Sequence, residues 1–183
     1  MVASYASALG LPTTPRARLV FALDVEHMDE AERLVRLLAP HVGMFKVGPA
    51  LFTSSGSQIM DLIHDHGSDV FLDLKFHDIP ETVSAASREV ARRRAKIFTV
   101  HALGGSAMIR QAVRELMNMT LIPGVMPPQC IAVTILTSLS EENFHALGFT
   151  GSIADQSVRL AKLAMESGAV GVVASGREVA TLR

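Results

Sequence analysis

The sequence predicts an α/β fold: a TIM (β/α)8 barrel of which about six of the eight β/α units are present. Apolar strand-like runs recur six times: RLVFALDV (18–25), MFKVGPALF (44–52), DVFLDLKF (69–76), KIFTVHAL (96–103), CIAVTILTSL (130–139) and AVGVVAS (169–175). Segments with helical spacing lie between them, and such alternation argues for a parallel sheet with helices outside. An open doubly wound sheet competes with the barrel. No G-x-G-x-x-G follows the first run, which weakens the dinucleotide-binding version of the open sheet. A barrel needs eight strands and typically about 250 residues. Six runs therefore predict an incomplete one.

The helices follow in order. Ala31, Leu34, Val35 and Leu38 mark an i, i+3, i+4, i+7 stripe over 28–38. Ile59, Leu62 and Ile63 mark a second helix. Val83, Ala86 and Val90 mark a third, with Pro80 suited to its first turn. Met108, Ile109, Ala112, Val113 and Leu116 mark a fourth, and 139–150 has room for a shorter fifth. The sixth covers 152–167, with Ser152 as its cap and Gly168 as its stop. Residues 1–17, with LPTTPR near their end, read as a flexible arm, and 18–183 as the barrel domain, incomplete at its C-terminus.

Composition excludes several classes. With 49% hydrophobic and 19% charged residues, the 183-residue chain has material for one well-packed domain. Lys and Arg number 17 against 18 Asp and Glu, without a basic stripe interleaved with aromatics, so nucleic-acid binding is disfavoured. The cluster Arg92-Arg93-Arg94 reads as a solvated helix end. No apolar run reaches the roughly 18 residues that span a bilayer, and the first residues lack the pattern of a secretory signal. Cys130 is the one cysteine, so no internal disulfide can form; it reads as a buried spectator in a reducing compartment. The expected location is cytoplasmic.

Chemistry enters through the third run. Strand side chains alternate between faces. Val70, Leu72, Leu74 and Phe76 would face helices; Phe71, Asp73 and Lys75 would face inward. By the same parity Leu19, Phe21 and Leu23 face helices and Asp24 lies inside at the strand end. Phe45 and Val47 face helices, leaving Lys46 inside. Asp24, Lys46, Asp73 and Lys75 are then expected at the barrel's C-terminal mouth, where barrel enzymes build active sites. A structural ion-pair network is the bland alternative, but buried charges stabilise a fold poorly. Asp78, three residues before Glu81, taken alone reads as a helix cap with its capping-box partner. His77 and His101 read first as hydrogen-bonded core residues at strand ends, with ligand contact as the alternative, and Gly104-Gly105 as a turn.

FALDV (21–25), FKVG (45–48), FLDLKFHDIPETV (71–83), VHALGG (100–105) and VTILTS (133–138) together resemble the orotidine 5′-monophosphate decarboxylases, in order and spacing. The segment D-x-K-x-x-D-I-P-x-T is highly specific. The resemblance implies decarboxylation of orotidine 5′-monophosphate to UMP, in a homodimer of barrels with no metal or cofactor. Lys75 is implied as proton donor to C6 of the pyrimidine. Asp73 is implied against the substrate carboxylate, Lys46 at the ribose and within the charged array, and Asp24 at a ribose hydroxyl. Asp78, with Ile79 and Thr82, is implied to reach into the partner's site, and Thr137 and Ser138 to lie near the ring.

Glu81 stands where many relatives have Asn, and Leu103 where they often have a small residue. The phosphate-gripping residues of the seventh and eighth strands have no counterpart in 1–183. The expectation is a fragment or a cleaved form, weak or inactive alone, with an unpaired sheet edge. Two other readings stay open. Magnesium-dependent sugar-phosphate enzymes share D-x-K-x-x-D, but an acidic residue replaces Lys46 there because magnesium needs carboxylate oxygens. An inactive barrel fragment acting as a binding partner is the other.

Overall fold

The computed structural model describes residues 14–119, 127–176 and 178–182. The predicted arm therefore lies outside the described residues as far as residue 13. Among the described residues six strands alternate with helices, and every described pairing is parallel. The predicted α/β class is thus found. The chain divides into two compact units, Met1–Leu74 and Lys75–Arg183.

The first unit holds β1 (Val20–Leu23), α1 (Met28–Leu38), β2 (Met44–Val47), α2 (Pro49–Ser55), α3 (Gln58–Asp65) and most of β3 (Asp69–Phe76). β2 pairs with both neighbours; Lys46 lies opposite Ala22 on β1 and Phe71 on β3. α1 forms where its stripe predicts: Ala31 and Val35 are buried, while Glu32 and Arg36 pair across one exposed turn. Gly43 is required by a close approach. A Cβ there would lie 2.7 Å from the backbone of Ala17, in the 3-10 turn Arg16–Arg18 that leads into β1. Arg16 fastens that turn by donating to the Ala39 carbonyl at 2.8 Å.

Two expectations fail in this unit. The run 44–52 is not one strand. It ends at Val47, and Pro49 opens α2 from an extended Gly48. Proline has no N–H for a sheet ladder, and its fixed φ suits a first helical turn. Leu19, expected to face helices, is 55% exposed. It precedes β1, and its carbonyl receives the Gly43 and Met44 N–H groups.

The second unit contains the end of β3, then α4 (Pro80–Arg92), β4 (Ile97–His101), α5 (Gly105–Met119), β5 (Gln129–Val133), α6 (Glu141–Ala146), α7 (Ile153–Glu166), β6 (Gly171–Val173) and α8 (Val179–Leu182). β5 lies between β4 and β6. α4 and α5 pack together, burying Val83 and Val90 of the first and Met108, Ile109 and Ala112 of the second. Arg88 donates to Glu115 at 2.7 Å across them. That hydrogen bond holds the Glu115 carboxyl below its ordinary range. α7 has the predicted signals: the Ser152 hydroxyl accepts the Asp155 N–H at 3.0 Å, and Gly168 follows with φ 98°. The run 130–139 also proves shorter than expected, because the ladder stops at Val133. Arg92, Arg93 and Arg94 are exposed at the end of α4, as predicted.

Candidate functional site

In the first unit one ammonium lies between two carboxylates. Lys46 Nζ is 2.9 Å from Asp24 Oδ1 and 3.9 Å from Asp73 Oδ2. Phe45 and Val47, its sequence neighbours, are fully buried on the opposite face of β2. Phe71 is the register partner of Lys46, so Asp73 lies one side-chain step further along the same face of β3. Asp24 follows the last residue of β1. The structure thus brings Asp24, Lys46 and Asp73 together, as strand parity expects.

Their exposures differ in a useful way. The Asp24 side chain is 70% exposed, while Lys46 and Asp73 are 22% and 13% exposed. A pair so open to solvent adds little stability. A Cβ on Gly48 would meet the Lys46 ammonium at 3.5 Å and the Asp24 carboxylate at 3.7 Å. Glycine at that position leaves the flank of the pair uncovered.

In the second unit Lys75 has a left-handed backbone, φ 52°, at the end of a strand. Non-glycine residues adopt this conformation at a cost of about 1–3 kcal/mol, and functional sites are enriched in it. The Lys75 N–H donates to Thr99 Oγ1 at 2.9 Å, and Thr99 is completely buried in β4. Past Lys75, Phe76 packs near Phe98, and the rings of His77 and His101 stack with centroids 5.3 Å apart. His101 Nδ1 accepts the Leu103 N–H at 3.3 Å, which leaves the proton of the neutral ring on Nε2. Burial, and then electrostatic repulsion from His77 and Lys75, push the His101 pKa down.

Asp78, Ile79 and Thr82 are exposed together where α4 begins. Asp78 is not the cap its spacing suggested. Ile79 occupies the cap position without a side-chain cap bond, and Asp78 Oδ1 instead accepts the adjacent Ile79 N–H at 2.6 Å. Ile79, at 63%, and Leu103 line one open hollow with Asp78, His77 and Gly104. Thr137 and Ser138 lie exposed in the turn beyond β5, closed by the Leu139 N–H on the Leu136 carbonyl. Gly104 and Gly105 are not a simple turn: Gly104 ends a 3-10 turn, Ala102–Gly104, and Gly105, with φ 81°, opens α5, while a Cβ on Gly104 would strike Met108. Cys130 is buried in β5, and burial pushes its thiol up to about 12.

Sequence reasoning missed Thr99 and the left-handed turn at Lys75. Thr99 carries a weak signal, a hydroxyl within the apolar FTVH. Alternation places it on the same face as His101.

Residues 17–183 match the model of the orotidine 5′-phosphate decarboxylase / HUMPS family. A curated orotidine 5′-phosphate decarboxylase from Syntrophotalea carbinolica is 48% identical over 168 residues, covering 92% of this chain and 69% of that protein. The protein of the same name from Geotalea daltonii is 45% identical, with coverages of 92% and 70%. The crystal structure of orotidine 5′-phosphate decarboxylase from Lactobacillus acidophilus superposes with a TM-score of 0.83 at 37% identity, over 90% of this chain and 74% of that one.

Proposed function

This chain belongs to the orotidine 5′-phosphate decarboxylase / HUMPS family, and from that premise we propose that it converts orotidine 5′-monophosphate to UMP in pyrimidine biosynthesis. Loss of CO2 from C6 leaves a carbanion that nothing adjacent delocalises. A catalyst must stabilise that charge more than it stabilises the substrate. In this reading the Lys75 ammonium lies at C6, holds the developing charge and then delivers its proton there. Asp73 faces the departing carboxylate. Lys46 binds the ribose and orders the array, and Asp24 takes a ribose hydroxyl. Thr137 and Ser138 lie by the pyrimidine. The proposed compartment is the cytoplasm, and no metal or cofactor enters any step.

The observation that carries this reading is Lys46 held between Asp24 and Asp73. A magnesium-dependent member of the family needs a carboxylate at that position. An ammonium there repels a divalent cation and suits an anionic nucleotide.

The second part of the proposal is a homodimer in which Asp78, Ile79 and Thr82 serve the partner's site. Its support is their exposure together, with apolar Ile79 beside Leu103.

The test is the loss of orotidine 5′-monophosphate absorbance, with chromatographic detection of UMP, in excess EDTA. UMP should form in EDTA, and Lys75→Ala should lower kcat at least about 1000-fold with a much smaller change in KM. Turnover that stops in EDTA and returns with magnesium overturns the metal-free mechanism. Native turnover by Lys75→Ala overturns the role of Lys75. No UMP from the wild-type chain leaves the inactive binding fragment as the better reading.

A further inference from the structure

We propose that Thr99 is a positioning residue whose buried hydroxyl holds the Lys75 backbone in its left-handed conformation and so aims the Lys75 ammonium. The inference deepens the reading above and rests on Lys75 as the proton donor.

Three observations support it. Lys75 has φ 52° at the end of β3, where a lysine in regular strand geometry has negative φ. Such a conformation persists only where the surroundings impose it. The Lys75 N–H donates to a side-chain oxygen, Thr99 Oγ1, at 2.9 Å. Thr99 is itself immobile: it is completely buried, its backbone pairs in register with Ile131 of β5, and Phe98 and Val100 on either side are fully buried. Its remaining freedom is rotation about χ1, which β-branching restricts. The hydroxyl is therefore a fixed acceptor facing the one residue of β3 with a positive φ.

The consequence is geometric. The direction of a lysine side chain is set first by its own φ and ψ. Without the hydroxyl, Lys75 relaxes toward negative φ, and its Cα–Cβ bond swings away from its present direction. A misplacement of about 1 Å in a reacting group costs on the order of 100-fold in rate. Thr99 touches no reacting atom in this scheme and acts wholly through Lys75.

The test compares Thr99→Val, which keeps the volume and loses the acceptor, with Thr99→Ser, which keeps the acceptor. Thr99→Val should lower kcat by about 10–100-fold and shift KM by less than about threefold. Thr99→Ser should stay within about threefold of native kcat. Native kcat in Thr99→Val, or equal losses in Val and Ser, overturns the proposal. Thr99→Ala removes the same acceptor with a smaller side chain and replaces Thr99→Val if that variant does not fold. A crystal structure of the Val or Ala variant reads the clamp without turnover. Lys75 should leave the positive-φ region, and retention near its present value overturns the proposal. The assignment of Lys75 fails separately, by native turnover in Lys75→Ala.

Discussion

His101 shows how burial and neighbouring charge act on a single side chain. Its ring is half-buried, stacked on His77 and near Lys75, and all three circumstances disfavour its protonated form. Its folded pKa lies below the ordinary value of about 6.5, so below that pH the unfolded chain binds a proton that the folded chain does not. Stability should therefore fall as pH drops from about 6.5 toward the folded value, and recover as pH rises. Urea midpoints between about pH 7.5 and about pH 5.5 check this, and His101→Gln should flatten the slope; parallel slopes would exclude His101 as the cause. Cys130 offers a simpler case. With its thiol buried and pushed up to about 12, it should react with a maleimide only when the chain unfolds; rapid labelling of the native protein would contradict its burial. The charged trio at Lys46 was legible because strand parity is local and each residue carries its own sign. The Thr99 clamp was not, because it joins a backbone N–H to a hydroxyl 24 positions away, and neither partner is unusual by itself.

Helices were legible wherever two signals agreed. α7 has a serine cap, an apolar stripe and a terminal glycine, and it begins and ends beside those residues. α2 was hidden because FKVGPALF stays apolar across Gly48, and composition alone cannot separate a buried strand from the buried face of a helix. Pro49 was the available clue, since a sheet interior has no use for it. Strand lengths were overread for a related reason. In the run CIAVTILTSL residues 134–137 remain apolar or β-branched while the ladder has ended. At this scale Ser152→Ala should cost about 1 kcal/mol of stability, read as a lower urea midpoint with unchanged slope, because the first turn loses its acceptor. Gly43→Ala should be worse than its small volume suggests, since the new methyl meets the Ala17 backbone.

Along the described residues parallel strands alternate with helices, and as a rule seen at three of the six strands a charged or polar group lies beyond the strand's C-terminal end. Asp24, Asp78 and Thr137 each lie just past such an end. That rule makes one chain's residues available to another, because a loop beyond a strand projects outward. The proposed exchange of Asp78 between subunits has a sharp consequence. Lys75→Ala and Asp78→Ala should each be nearly inactive alone. In a mixed dimer of the two, one site has lost both groups, and the other keeps its own Lys75 and receives an intact Asp78 from the partner. Equal mixing with full exchange gives half mixed dimers, so activity should recover to about a quarter of native. If Asp78 serves its own chain's site, every site in the mixed dimer lacks one group and nothing is recovered. Measured after reversible unfolding of the mixture, the recovered fraction decides between the two arrangements. Adding Ile79→Lys to both chains should abolish the recovery by opposing association at the exposed apolar surface beside Leu103.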